Sequence, residues 1–320
     1  MFVARCGSAR SSFRTRKRAA SAGGVRDAPT IAIVVPFRDQ PEQDRRAQLA
    51  KLQKHIAAFL SSPGDDQQGG GGAPTHFLVV VAEQTHDGCA FNRGALLNVG
   101  FLEAQKAIKT GRFASVILHD VDLLPSPGLL PWYRKAPQDG QPVHIAGPST
   151  WRKYGMMGEY SDVFFGGVTA LSPKAFAAAN GYPNNYWGWG MEDDQLRMRV
   201  HASGGLADGV LRPPAGAGAY TDLDRIAMLD HLNTPDAIAT HATKFNPLMF
   251  ADGDARGKLD HDWAGANGLR GLRYLATSMH EGRLGECVEL LHITVQLEQS
   301  DADRRRAAAL SDAMQRRRPG

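Results

Sequence analysis

The chain contains one short segment, residues 187–194, in which tryptophan, glycine and acidic residues follow each other closely. It ends in three consecutive carboxylic acids, Glu192, Asp193 and Asp194. Tryptophan offers an apolar platform, glycine lets a ligand approach the backbone, and carboxylates accept protons or hydrogen bonds from sugar hydroxyls. The segment therefore indicates a site for a polyhydroxylated ligand. The alternative is a glycine turn with core tryptophans ahead of a solvated, acidic helix start.

A second acidic motif follows the apolar, β-branched run at residues 113–119, which predicts a buried strand. Asp120 and Asp122 come directly after it, and strand alternation predicts that both point to the same side. In an open α/β sheet, ligands bind at the carboxyl ends of the strands, and two carboxylates there suit a hard divalent cation such as Mg²⁺ or Mn²⁺. The alternative is an ordinary turn with an acidic cap.

Taken together, these motifs resemble the β-1,4-galactosyltransferases, a family of inverting, metal-dependent nucleotide-sugar transferases. Residues 119–125 are most similar to the branch that galactosylates xylose on proteoglycan linkers, and residues 184–187 to the branch that acts on N-acetylglucosamine. The matching stretches follow the family's order from about residue 30 to 232: Val35-Pro36-Phe37-Arg38, Phe91-Asn92-Arg93, Leu97-Asn98-Val99-Gly100-Phe101, His119-Asp120-Val121-Asp122, Phe165-Gly166-Gly167-Val168, Asn180-Gly181 and residues 187–194.

The resemblance implies a nucleotide-sugar site at the strand ends. A phenylalanine can cover a uracil face and an arginine can reach phosphate or base oxygens, although a strand-ending turn with a surface arginine is the simpler explanation of Phe37-Arg38 alone. Gln40 stands where the family often carries a second arginine, which predicts weaker nucleotide affinity. The donor-site residues implied are Pro36, Phe37, Arg38, Phe91, Arg93, Asp120, Val121, Phe164 and Gly167.

The same resemblance implies Mn²⁺ as cofactor, held by Asp122, Met228 and His231. A thioether is a soft and weak ligand for Mn²⁺, and a Met-x-x-His spacing by itself is more often a core methionine and a surface histidine. Asp193 matches the family's catalytic base, and Glu192 would orient the sugar or the base.

Acceptor binding is implied for Trp189, Asp194, Lys244 and Phe245, and Asn267 begins a stretch similar to a late Asn-Gly-Leu of the family. Glycines on both sides of Trp189 would let it close over bound donor. The implied reaction transfers galactose from UDP-galactose to a hydroxyl of a glycan acceptor with inversion, forming a β-1,4 linkage. The sequence does not identify the acceptor sugar.

Two functions from other classes remain open from the sequence. One is a sugar- or nucleotide-binding protein of the same fold that has lost turnover. The other is a metal-assisted hydrolase that uses the two acidic motifs, which leaves the tryptophan platform and Phe91-Asn92-Arg93 unexplained.

The apolar periodicity predicts alternating strands and helices, and hence an α/β fold with a mostly parallel central sheet flanked by helices. The resemblance to the family implies that this is a single domain of the GT-A type. The predicted strands are 31–35, 76–82 and 113–119. The predicted helices follow Leu49, Leu52, Ile56 and Phe59, then residues 97–108, with a short helix between Ser172 and Gly181.

Composition agrees with a globular protein: 320 residues, 42% hydrophobic, 22% charged and net charge +4. The predicted division is a basic disordered or targeting segment at 1–28, a transferase domain at 29–298 with a flexible insertion at 61–74, and a charged tail at 299–320. The basic termini lack interleaved aromatic residues, which argues against a nucleic-acid partner. Cys6, Cys89 and Cys287 are expected to be free thiols.

The chain has no apolar stretch near the roughly 18–20 residues that span a bilayer. Members of the family are usually Golgi proteins with an N-terminal anchor. The resemblance therefore implies the Golgi lumen, with a truncated sequence, organellar targeting or a cytoplasmic location as alternatives.

Overall fold

A computed structural model describes residues 28–40, 43–62, 75–150, 163–224 and 258–316. The strands are β1 (Thr30–Phe37), β2 (His76–Gln84), β3 (Phe113–His119), β4 (Leu123–Pro125), β5 (Val143–His144), β6 (Val168–Leu171), β7 (Tyr220–Asp222), β8 (Tyr274–Arg283) and β9 (Val288–Leu297). The helices are α1 (Arg45–Ser61), α2 (Arg93–Ala107), α3 (Leu130–Arg134), α4 (Pro173–Ala178), α5 (Glu192–Ala202) and α6 (Asp301–Arg316).

Seven strands form one sheet in the order β5-β6-β3-β1-β2-β9-β8. The four middle strands, β3, β1, β2 and β9, are parallel, and the outer pairings are antiparallel. Parallel strands need cover on both faces, and β1 accordingly reads as a continuous apolar run, buried from Ile31 to Phe37. This confirms the predicted α/β architecture. A second, two-stranded sheet pairs β4 with β7.

Helices α1 and α2 cover opposite faces of the sheet. Alternate residues of β1 point to opposite faces and therefore pack against different helices. Ile33 belongs to the same core cluster as Leu52 of α1, whereas Val34 belongs to the cluster that contains Leu97 of α2. Helix α2 approaches closely at Gly100, where an added Cβ would lie 2.2 Å from a methyl carbon of Val34. Because β1, β2 and β3 are parallel, their carboxyl ends lie at the same edge of the sheet.

The C-terminal part of the fold was not predicted. Strand β9 inserts beside β2, and β8 forms the outer edge of the sheet. The signal in the sequence was the alternation of Leu291, Ile293, Val295 and Leu297, all of which are buried. A helix, α6, runs through most of the region expected as a charged tail.

Other expectations fall at the limits of the described residues. Of the predicted insertion at 61–74, Ser61 ends α1, and residues 63–74 lie outside the described residues. Cys89 and Cys287 are free thiols, as predicted, and both are half-buried, whereas Cys6 lies outside the described residues. Within the described parts of the chain, no helix is both long and apolar enough to span a membrane.

Candidate active site

Arg93 connects three motifs that are far apart in the sequence. It is the first residue of α2, and the preceding Asn92 caps the helix by accepting a hydrogen bond from the backbone of Ala95 at 2.9 Å. The Arg93 Nε donates to Asp120 Oδ1 at 2.7 Å, and its Nη1 donates to Asp193 Oδ1 at 2.7 Å. The side chain is only 13% exposed, so these are partly desolvated, charge-assisted contacts.

Asp193 is held by a second donor on the same oxygen. The hydroxyl of Tyr182 donates to Asp193 Oδ1 at 2.9 Å. The other oxygen, Oδ2, faces Gly166, where an added Cβ would lie 2.4 Å from it and 3.0 Å from the ring of Phe164. Only glycine fits at this position, because the carboxylate of Asp193 and the ring of Phe164 both pack against its backbone.

The carboxylates around Arg93 have perturbed acidities. Burial raises the pKa of Asp120 to about 6, against the opposing effect of the Arg93 charge. Burial, followed by repulsion from Asp193, raises the pKa of Glu192 to about 8. Glu192 Oε1 lies 3.5 Å from Arg93 Nη1, and its Oε2 accepts a hydrogen bond from the backbone of Gly190 at 3.2 Å. Such perturbed groups cluster at functional sites.

Replacing Glu192 with glutamine should change how stability depends on pH. Because folding raises the pKa of Glu192 from 4.5 to about 8, the folded state keeps a proton that the unfolded chain releases between these values. The free energy of unfolding therefore falls as pH rises through this window. The Glu192→Gln variant does not lose stability in this way. As the pH rises from about 5 to about 8, its Tm should therefore rise by several °C relative to that of the wild type, since each kcal/mol of unfolding free energy shifts Tm by about 2–4 °C. Thermal unfolding at both pH values measures this, and a constant Tm difference would contradict it.

The three acids are presented by a tight turn. Gly188, Gly190 and Met191 have positive φ angles of 96°, 114° and 71°, a conformation that is uncommon for a residue with a side chain such as Met191. Helix α5 starts immediately afterwards, so the acids fall in its first turn, where the helix dipole favours negative charge. The turn leaves Trp187 buried and Trp189 and Asp194 half-buried, so these two predicted acceptor residues lie beside the catalytic candidates.

On the predicted nucleotide side, Arg38 lies over the ring of Phe91, with 5.5 Å between its guanidinium carbon and the ring centroid. Arg38 Nη1 also donates to the backbone carbonyl of Cys89 at 2.7 Å. The carbonyl of Phe91 accepts from the amide of Gly188 at 2.8 Å, which ties this pair to the tryptophan turn. The aromatic ring and the cation therefore form one surface near the carboxyl ends of the strands.

Phe37 lies differently from its neighbour Arg38. Its side chain is 1% exposed, and Arg46 covers the ring at 4.8 Å while pairing with Asp39 at 3.2 Å and Glu83 at 2.7 Å. Contact between Phe37 and a nucleotide thus stays a prediction. The other predicted donor residues on the strand ends, Pro36, Val121 and Gly167, are also buried.

Asp120 and Asp122 contact different helices, which corrects the prediction that both point to one side. Strand β3 ends at His119, so strand alternation does not extend through the acidic motif. Asp120 faces Arg93 of α2, whereas Asp122 Oδ2 lies 3.4 Å from Nη1 of Arg45 of α1. Nη2 of the same arginine lies 3.4 Å from Asp224 Oδ2.

The side-chain oxygens near Arg45 are of the type that a hard divalent cation binds. Asp122 and Asp224 supply carboxylate oxygens, and a guanidinium bridges them in this structure. The described parts of the chain contain no cluster of three or more histidine, cysteine or acidic side chains placed to hold a metal. Met228, His231, Lys244 and Phe245 lie outside the described residues, so their assigned roles stay predictions.

Three residues at the site were not found from the sequence: Tyr182, Arg45 and Asp224. Tyr182 reaches Asp193 across the loop between α4 and α5, and Arg45 reaches Asp122 from the start of α1. No local pattern marks Arg45 or Asp224, because their roles depend on how α1 and β7 pack against the strand ends. Tyr182 had a weak signal, since it directly follows the matched Asn180-Gly181.

Comparison with known families and structures agrees with this geometry. The family model for the N-terminal region of glycosyl transferase group 7 matches residues 25–128, and the N-terminal domain of galactosyltransferase matches residues 149–231. The catalytic domain of Drosophila β1,4-galactosyltransferase 7, solved with xylobiose, superposes with a TM-score of 0.58 and 26% identity, covering 88% of this chain and 99% of that one. The protein thus has the GT-A fold of nucleotide-sugar transferases.

Named relatives narrow this class further. Drosophila melanogaster β-1,4-galactosyltransferase 7 is 35% identical over 54% of this chain and 45% of its own length, and human β-1,4-galactosyltransferase 4 is 36% identical over 60% and 47%. The xylosylprotein 4-β-galactosyltransferase of Caenorhabditis elegans is 29% identical over 78% and 72%. The chain belongs to the β-1,4-galactosyltransferase family. The matched part spans about half the length of the first two relatives.

Proposed function

We propose that this protein transfers galactose from UDP-galactose to a hydroxyl of a glycan acceptor, with inversion and formation of a β-1,4 linkage. The observation that carries the proposal is the pair of contacts from Arg93, which place the acidic end of β3 beside the acids of α5 in a chain of this family. A structure of a mutant of the Drosophila relative contains manganese, UDP-Gal and xylobiose together, which supports the same ligand classes here.

Asp193 would act as the general base. Its Oδ1 accepts from Arg93 and Tyr182, which would leave Oδ2, the oxygen beside Gly166, to take the proton of the acceptor hydroxyl. The acceptor oxygen forms a bond to the anomeric carbon as the bond from that carbon to the diphosphate oxygen breaks. Attack from the opposite face inverts the configuration, and UDP leaves.

The buried Glu192 and the half-buried Trp189 and Asp194 would orient the acceptor ring and exclude water. Arg38 and Phe91 would bind the uridine, since a cation and an aromatic ring already lie together there. Asp122 would hold Mn²⁺ with His231 and Met228, and the ion would supply positive charge against the leaving diphosphate. Asp122 Oδ2 also lies 3.4 Å from Arg45 Nη1, so this guanidinium is a direct neighbour of the proposed metal ligand.

A transfer assay tests the proposal. The full-length chain is incubated with UDP-galactose and Mn²⁺ on an array that displays xylosides, N-acetylglucosaminides and glucosides. Incorporation of galactose onto one class, with linkage analysis showing β-1,4, is the expected result. Release of free galactose at the same rate with and without every acceptor would instead identify a hydrolase.

The Golgi lumen, implied by the family, is the proposed compartment.

Donor choice should depend on Phe164. The resemblance implies that Phe164 is a donor-site residue at a position where galactose transferases of the family usually carry tyrosine. Its ring packs close to Gly166, beside Asp193. Phenylalanine keeps the bulk that crowds a 2-acetamido group. Phe164→Leu should therefore raise kcat/KM for UDP-N-acetylgalactosamine relative to UDP-galactose, by about 10–200-fold for a pocket change of this size.

The control for this variant is Phe113→Leu, which makes the same change at the amino end of β3, away from the site. The ratio of kcat/KM for the two donors should stay at its wild-type value in the control. An unchanged ratio in Phe164→Leu, or a wild type that already prefers UDP-N-acetylgalactosamine, would show that this position does not set donor choice.

A further inference from the structure

The segment from residue 258 to 271, called the late segment below, hydrogen-bonds to the helix that carries the three acids. Gln195 Nε2 donates to the carbonyl of Lys258 at 2.7 Å, and Gln195 Oε1 accepts from the amide of Asp260 at 3.1 Å. One turn further along α5, Arg199 Nη2 donates to Asp260 Oδ2 at 3.3 Å. Glu192, Gln195 and Arg199 share one buried face of α5, since they are spaced three and seven residues apart.

The ion pair between Arg199 and Asp260 fixes the late segment firmly. Arg199 is 0% exposed, and its Nη1 donates to the carbonyl of Gly181 at 3.1 Å. A buried guanidinium without a counter-ion is strongly destabilising, so the folded state is more stable when Asp260 stays paired with Arg199.

Asn267 attaches the same segment to the turn that precedes the tryptophans. Its Oδ1 accepts from the amide of Asn184 at 2.7 Å, and its Nδ2 donates to Asn185 Oδ1 at 2.9 Å. Its Nδ2 also hydrogen-bonds to Asp260 Oδ2. Asn184 Nδ2 in turn donates to the carbonyl of Gly268 at 2.7 Å. One asparagine therefore joins the Asn184-Asn185 turn to the counter-ion of Arg199.

The network continues to Arg93. Asn92 Nδ2 donates to the carbonyl of Asn184 at 2.7 Å, and Asn98 Nδ2 donates to Asn184 Oδ1 at 3.0 Å. Asn92 caps α2 immediately before Arg93, which contacts Asp193. The late segment thus touches both elements that place the predicted acceptor residues, the turn before Trp187 and helix α5.

We propose that Asn267 and Asp260 are positioning residues for the acceptor side of the site. They hold the Asn184-Asn185 turn and α5 in one relative arrangement, so that Trp189 and the acids Asp193 and Asp194 face a bound acceptor together. Neither residue touches the reacting atoms. The acceptor part of this inference rests on the proposed function, whereas the effect on the order of the turn does not.

The test replaces Asn267 with alanine, with His261→Ala as the matched control because His261 is an exposed residue of the same segment. Hydrogen exchange is measured on peptides that cover residues 184–194, together with the KM for the acceptor, kcat, and the affinity for UDP with Mn²⁺. Asn267→Ala should speed exchange in these peptides by at least about tenfold and raise the acceptor KM by about tenfold, with UDP affinity within about twofold of the wild type.

A second variant sharpens the test. Asn267→Asp keeps an oxygen for the amide of Asn184 but turns a carboxylate towards Asp260, so it should exceed the effect of Asn267→Ala. If Asn267→Ala does not fold, Asn185→Ala is used instead, because it removes only the hydrogen bond from Asn267 Nδ2 to Asn185. Exchange and the acceptor KM should then change in the same direction but by less.

Three results for Asn267→Ala would overturn the proposal. They are an unchanged exchange rate at residues 184–194, an unchanged acceptor KM despite faster exchange, or a fall in UDP affinity as large as the rise in the acceptor KM. The last would mean that Asn267 only stabilises the whole fold. If the wild type transfers galactose to no acceptor, the proposed function fails, and the exchange result alone then decides whether the late segment orders the turn.

Discussion

Asp193→Asn is expected to reduce turnover by at least about two orders of magnitude, the usual size of a general-base effect. Asparagine has the same shape and can still accept hydrogen bonds from Arg93 and Tyr182, but its amide cannot take the proton of the acceptor hydroxyl. The affinity for UDP-galactose should change little, because this carboxylate serves the acceptor. Steady-state kinetics with both substrates varied, together with donor binding measured by calorimetry, give the two quantities.

Asp208→Asn is the matched control, since it makes the same change at an exposed residue outside the site. It should keep wild-type turnover and donor affinity. Near-normal turnover in Asp193→Asn would place the base elsewhere, with Glu192 as the next candidate. A parallel loss of donor affinity would instead mean that Asp193 acts mainly by fixing Arg93.

The first half of the fold could be predicted because each element has a local pattern. The apolar run of β1 and the helical spacing of α1 do not depend on the rest of the chain. The C-terminal hairpin was missed although β9 alternates clearly, because its place beside β2 is a long-range pairing with no local signal. The order of the sheet could thus not be read from the periodicity that identified its strands.

The site divides in a similar way. Resemblance to the family assigned Arg93, Asp120 and Asp193, and the structure brings these residues together. Arg45 could not be found, since its contact with Asp122 depends on the packing of α1. The orientation of Asp122 was predicted wrongly because the strand rule was applied past the end of β3. The resemblance thus identified residues that the structure brings together, whereas a contact such as that between Arg45 and Asp122 needs the tertiary structure.

Asp122→Ala is expected to abolish galactose transfer and Mn²⁺ binding while leaving the fold intact. By the proposed function this carboxylate is a ligand of Mn²⁺; it follows β3, which ends at His119, and is 7% exposed. In the variant, Arg45 keeps its contacts with Asp224 and with Gln48, to which Nη1 donates at 2.7 Å, so the guanidinium stays paired. The Tm should therefore stay close to that of the wild type.

The measurement combines activity with a direct readout of the metal. Mn²⁺ binding is followed by electron paramagnetic resonance with UDP present, and activity is assayed after chelation and after Mn²⁺ is added back, with Asp208→Ala as the control. Wild type and control should lose transfer on chelation and regain it with Mn²⁺, whereas Asp122→Ala should neither bind the ion tightly nor recover. Full activity of the wild type in excess chelator, or of Asp122→Ala with Mn²⁺, would remove the metal assignment. In that case the pairing of Asp122 and Asp224 with Arg45 would be a structural ion pair, and positive charge for the leaving diphosphate would have to come from arginines such as Arg38 and Arg93.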